Sequence, residues 1–231
     1  ALKEPGHIYT RIDNPTCDIL EQRLAGITGG VAALSVASGQ SAALLTTMAL
    51  AKSGQNVVTG SNLYGGTFNL FKNTLSRAGI EFRFVDVNNL DEVRNAVDEN
   101  TRFVFVESIA NPSNFIPDFE VLAEIAHSNN IPFIVDNTVA PLIFDPFAYG
   151  ADIALLSLTK YIGGHATAMG GAIVDSGKFD WKTSGKFPEL AEPDPSYHGL
   201  IMTEAFGKAA FAIRCRVNLL RDMGPCLSPF N

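Results

Sequence analysis

The chain has 231 residues, 46% of them hydrophobic and 18% charged, with 17 Lys and Arg against 24 Asp and Glu for a formal net charge of −7. That apolar share supports a buried core in one domain and excludes a disordered chain. The acidic balance argues against a nucleic-acid or anionic-membrane partner, and no apolar run approaches the roughly 20 residues of a bilayer span.

Ala1 to His7 lacks the basic and apolar blocks of a signal peptide. A helix is predicted over Thr16 to Ile27, with Ile19, Leu20, Leu24 and Ile27 near helical spacing. Short apolar runs then alternate with helical stretches. Strands are expected at Val31 to Val36, Asn56 to Thr59, Glu81 to Val85, Phe103 to Glu107, Phe133 to Val135, Ile153 to Leu156 and Ala172 to Val174. Helices are expected between them, at Ser41 to Lys52, Thr67 to Ala78, Leu90 to Val97 and Phe119 to Asn129. Asn89 and Asp118 suit N-caps, and Gly54 and Gly79 suit helix ends. This order predicts an α/β fold: three α/β/α layers around a mostly parallel sheet, its strands covered on both faces. Residues 176 to 200 read as a long excursion, and Thr203 to Asp222 as one helix. Three scattered cysteines without a CxxC pair suit a reducing cytoplasm, and four histidines without paired spacing suggest no metal site.

Chemistry concentrates at strand ends. Ser157-Leu158-Thr159-Lys160 follows the strand Ile153 to Leu156, placing an amine between hydroxyls where open α/β sheets bind ligands. An aldehyde cofactor needs such a nucleophilic amine, and Ser157 and Thr159 suit a phosphate. Alone, Lys160 reads equally well as a solvated loop cation. Asp136 ends Ile134-Val135, where a buried carboxylate needs a cation such as a pyridinium nitrogen; a cap or a metal ligand is the plainer alternative. Ala37-Ser38-Gly39-Gln40-Ser41 opens a helix with free N–H groups and reads as a phosphate cradle or as an ordinary tight turn. Tyr64, before Gly65-Gly66, suits stacking on a planar ring or a place in the core. Tyr9-Thr10-Arg11 suits a phosphate clamp reaching away from its own domain, or a solvated arm. Asn111, in Glu107-Ser108-Ile109-Ala110-Asn111-Pro112, suits a donor to a phenolate oxygen, or a turn.

In order and separation these six motifs resemble the Cys/Met-metabolism enzymes that depend on pyridoxal 5′-phosphate (PLP), over essentially the whole chain. The resemblance implies PLP as cofactor and fold type I, the aspartate-aminotransferase-like large domain. It assigns Lys160 as the Schiff-base lysine and proton shuttle, and Asp136 as the partner of the pyridine nitrogen. Tyr64 becomes the stacking tyrosine, with a share in proton transfer. Ser38, Gly39, Gln40, Ser157 and Thr159 become the phosphate cradle, Asn111 the partner of the 3-oxygen, and Thr138 a neighbour of the ring. Tyr9 and Arg11 become the pair that enters a neighbouring subunit's phosphate site.

Gln40, Gly66 and the stretch Phe187 to Gly199 look like the O-acetylhomoserine sulfhydrylases of this family. The expected reaction is therefore O-acetylhomoserine plus sulfide to homocysteine plus acetate. Cystathionine γ-synthase, a methionine or cystathionine γ-lyase, and a PLP-binding core without turnover remain open. The sequence departs from the family at Leu156, where a histidine is usual, and at Ala166, where glycine is common. The expected organisation is an arm over residues 1–15 and a PLP-binding large domain over 16–231, without the family's C-terminal domain. A cytoplasmic homo-oligomer with shared sites, a dimer of dimers, completes the expectation.

Overall fold

The computed structural model describes residues 6–231; the first five residues of the expected arm lie outside them. Helix α1 (Pro15–Thr28) opens on Asn14, whose side chain accepts from Thr16 N, and closes on Gly29 at φ 72°. Strand β1 (Ala32–Val36) leads into α2 (Gly39–Leu50), and β2 (Asn56–Gly60) into α3 (Gly65–Asn69). Then come β3 (Glu81–Val85), α4 (Leu90–Ala96), β4 (Thr101–Glu107), α5 (Phe119–Ser128), β5 (Phe133–Asp136), β6 (Ile153–Leu156) and β7 (Gly171–Asp175). The sheet runs β1-β7-β6-β5-β4-β2-β3. β7 runs opposite to the other six strands, which therefore end at one edge.

Strand alternation divides the core between two layers. Phe103 and Phe105 face a layer with α2, Phe71 and Phe211, while Val104 and Val106 face α5, Leu24 and Val174. Burying one such side chain contributes about 1.5–3 kcal/mol, so each strand is anchored twice over. Coverage of both faces holds for the central strands. It fails for β3, whose first residue is exposed and whose next three are only partly buried, because it is an edge.

Asn89 and Asp118 do cap α4 and α5, accepting from Glu92 N and Val121 N. Gly79 ends its segment at φ 81°, but α2 stops earlier, on the extended Ala51, and Gly54 turns the loop beyond it. Thr67 to Ala78 is not one regular helix: α3 widens to a π turn over Leu70–Thr74 and tightens to a 3-10 turn over Leu75–Ala78. The excursion holds α6 (Trp181–Ser184), α7 (Pro188–Ala191) and a 3-10 turn at Pro195–Tyr197. The single helix expected over Thr203 to Asp222 is broken. α8 (Met202–Phe206) stops where Gly207 adopts φ 53° and ψ −125°; α9 (Ala210–Arg214), a π turn (Cys215–Leu220) and α10 (Arg221–Met223) follow. That φ is one glycine adopts without a Cβ penalty, so the apolar period continues while the backbone does not. Among the described residues no helix is long and apolar enough to cross a membrane, and no group of three His, Cys, Asp or Glu is placed to hold a metal ion.

Candidate active site

The C-terminal edge of the six like-directed strands gathers the predicted residues other than Tyr9 and Arg11. Asp136 ends β5, and its Oδ1 accepts from Thr138 N at 3.0 Å and Thr138 Oγ1 at 2.5 Å. The same Thr138 oxygen accepts from Ser157 N at 2.8 Å, which ties the end of β5 to the loop after β6. Thr138 therefore orients Asp136 and positions Ser157 together. Ser157 in turn meets Gly39 on α2: a Cβ built on Gly39 would lie 2.7 Å from Ser157 Cβ and 3.2 Å from its Oγ. Only a glycine lets these two halves of the cradle close.

Ser38 caps α2, its hydroxyl accepting from Ser41 N at 3.1 Å and lying 2.9 Å from Ser41 Oγ. Gly39 and Gln40 occupy the first turn, where N–H groups have no intrahelical acceptor and favour an anion. The Gln40 side chain donates to Thr67 Oγ1 at 3.1 Å, linking α2 to α3. The Thr159 hydroxyl is turned to the Gly170 backbone, donating to its carbonyl at 3.2 Å and accepting from its N–H at 3.1 Å. These two contacts hold the loop in shape. Lys160 follows, exposed at the edge, with its N–H donated to Ser157 O at 3.2 Å.

Tyr64 is the N-cap residue of α3 and is 47% exposed. The ring lies across Gly66, where a Cβ would stand 2.5 Å from Tyr64 Cε1. The feature missed from sequence is Glu107. It is buried at the end of β4, and its carboxylate accepts from Tyr64 N at 2.7 Å and from Asn111 N at 3.1 Å. A glutamate closing an apolar strand was the available signal. Burial pushes Glu107 up to about 7, with the neighbouring Asp136 adding to the shift and the two backbone donors opposing it. The two carboxyls face each other in register across β4 and β5.

Tyr9 and Arg11 stand apart from this group. Arg11 donates to the Arg221 carbonyl of its own chain and lies 5.0 Å from the centre of the Tyr9 ring.

Whether the site fits PLP is decided by Asp136. Burial raises its carboxyl above the usual range against the Thr138 hydrogen bonds, and among the described residues no cation pairs with it. A desolvated carboxylate with a free oxygen at a ligand edge suits a protonated ring nitrogen. The Gly39–Ser157 cradle at a helix N-terminus suits a phosphate. The residues present fit the cofactor.

The comparisons agree. The chain is 52% identical to O-acetyl-L-homoserine sulfhydrylase 1 of Thermus thermophilus and 50% identical to homocysteine synthase of Schizosaccharomyces pombe. Both alignments cover all of this chain, but 55% and 54% of those proteins, so the chain spans about half the length of the curated relatives it matches. Its structure superposes with a TM-score of 0.96 on a Campylobacter jejuni protein described as an O-acetylhomoserine (thiol)-lyase, crystallised with a pyridoxyl-lysine monophosphate. That pair shares 41% identity over 100% of this chain and 55% of the other. Residues 1–231 match the family throughout, and the chain belongs to the Cys/Met metabolism PLP-dependent enzymes.

Proposed function

We propose that this chain forms the cofactor-binding part of an enzyme that converts O-acetylhomoserine and sulfide to homocysteine and acetate, a step of methionine biosynthesis. The uncompensated carboxylate of Asp136 beside the Gly39–Ser157 cradle carries the cofactor half of this reading. The printed activities of the relatives, with Gln40 and Gly66, support the substrate half. Residues 16–231 are the cofactor-binding domain, and residues 1–15 an arm toward a second subunit of a cytoplasmic homo-oligomer.

When bound, PLP supplies an aldehyde that joins to amines and a ring that withdraws electrons. Lys160 would hold the aldehyde carbon through Nζ, and the same amine would move the proton at the substrate α-carbon. Asp136 keeps a proton on the ring nitrogen, held in line by Thr138. The first-turn N–H groups of Gly39 and Gln40, with the Ser157 hydroxyl, grip the phosphate. Tyr64 covers one ring face and excludes water, and Asn111 donates to the 3-oxygen. Thr159 would add its hydroxyl to the phosphate cradle, and its contacts with Gly170 shape the loop that carries it. Arg11 and Tyr9 serve the neighbouring subunit's phosphate. In the net reaction the γ-carbon loses its bond to the acetate oxygen and gains one to sulfur. Hydrosulfide keeps its proton as the product thiol, and acetate leaves with the electron pair.

The test is turnover of the holoenzyme with O-acetylhomoserine and sulfide, compared with methionine and with cystathionine. Sulfide-dependent homocysteine formation as the fastest reaction is expected. Faster breakdown of methionine or cystathionine would assign a γ-lyase instead.

A further inference from the structure

We propose that Glu107 is a positioning residue of this site: one carboxylate holds two separate loops, and so fixes where Tyr64 and Asn111 stand against the cofactor ring. The inference rests on the cofactor reading above and adds a residue to it.

The geometry is specific. Oε1 takes the N–H of Tyr64, from the loop after β2, and Oε2 takes the N–H of Asn111, from the loop after β4. Tyr64 has no side-chain cap partner of its own at the start of α3, so Glu107 supplies a fixed acceptor there. The Tyr64 ring is otherwise half exposed, lying across a glycine that offers no side chain to stop it. Asn111 is exposed as well. Both side chains are exposed, and both residues are tied through their backbone N–H to the same carboxylate.

Burying this carboxylate is costly. It is only 6% exposed, no cation pairs with it among the described residues, and Asp136 stands opposite it in the sheet. A neutral side chain of the same length would avoid the cost. Glutamine, however, has one acceptor oxygen, and its amide would face the second N–H donor to donor. Only a carboxylate receives both donors in this arrangement.

The experiment is Glu107→Gln in the holoenzyme, with three readouts: attachment of the cofactor to Lys160 by borohydride reduction, visible circular dichroism of the bound cofactor, and kcat and KM separately. The expected result is a cofactor still attached, a weakened or shifted dichroism band, and kcat lower by about 10- to 100-fold, the scale of a small misplacement of reacting groups. KM should change far less. Wild-type dichroism and kcat in Glu107→Gln would overturn the proposal, as would a lower unfolding midpoint of the apoprotein with an unaltered cofactor signal. If Glu107→Gln does not accumulate as folded protein, the same readouts are taken on Glu107→Asp, which keeps both oxygens one methylene further back. An altered band supports the proposal and an unaltered band overturns it. Wild-type enzyme that takes up no cofactor would sink the cofactor reading and this inference together; wild-type enzyme that holds it beside an indifferent variant sinks this inference alone.

Discussion

Asp136→Asn separates charge from shape. The amide oxygen can keep both hydrogen bonds from Thr138, so the end of β5 and its tie to Ser157 survive and only the negative charge is lost. In the apoprotein that loss is favourable. Burial raises the Asp136 carboxyl in the folded state, so this group's stability is fully present below the usual carboxylate range and is lost as pH rises through the raised value. The variant escapes that loss, and at neutral pH its apoprotein should resist urea at least as well as wild type. In the holoenzyme the sign reverses. A charge-assisted hydrogen bond contributes about 1.5–3 kcal/mol. At about 1.4 kcal/mol per decade, cofactor affinity should fall roughly 10- to 150-fold. Turnover should fall further, within a ceiling of about 4 kcal/mol, or roughly 10³-fold, for unit charges about 4 Å apart at an effective dielectric near 20. Cofactor titration by absorbance and steady-state rates measure both effects. An Asp136→Asn enzyme with wild-type cofactor affinity and turnover would refute the pairing, and a weaker apoprotein would refute the burial argument.

Gly39→Ala places a methyl 2.7 Å from Ser157 Cβ and 3.1 Å from its Cα. The cradle must open, lowering stability by about 1–3 kcal/mol in a denaturant titration and weakening cofactor binding. Gly66→Ala meets only the edge of the movable Tyr64 ring, so stability should change by less than about 0.5 kcal/mol while the dichroism of the bound cofactor shifts. Asp175 is buried, its Oδ2 has no hydrogen-bond partner, and burial pushes it up to about 7 from the usual 3.8. Its stabilising share is complete below about pH 4 and lost as pH rises through about 7, on the order of 4 kcal/mol at one decade per pH step. Asp175→Asn should therefore gain on wild type between pH 5 and pH 8 in urea unfolding; a constant difference would contradict the shift.

Much of the fold is legible in the sequence because each apolar run is bounded by residues that stop it. Strands at Glu81–Val85 and Ile153–Leu156 lie where the pattern places them. The C-terminal segment was not legible, because apolar residues recur at helical spacing through Phe206 and Gly207 while the backbone turns between them. At the site, strand ends mark Asp136 and Lys160, since polar residues after an apolar run stand out, and Tyr64 is marked by the two glycines that follow it. Glu107 ends a strand in the same way, but both of its partners are backbone N–H groups, which every residue except proline supplies. No side-chain type in the sequence marks that contact. Thr159 shows a related limit: its hydroxyl suits a phosphate by type, and only the fold shows that it also meets the Gly170 backbone.

The central claim is that Lys160, three residues beyond the Asp136–Thr138–Ser157 chain of hydrogen bonds, carries the cofactor. Borohydride reduction of the holoenzyme, followed by digestion and peptide mass mapping, tests it most directly. The account predicts a pyridoxyl phosphate adduct on the peptide containing Lys160, and its loss in Lys160→Ala. An adduct on another lysine, or the same adduct yield in Lys160→Ala, would contradict it.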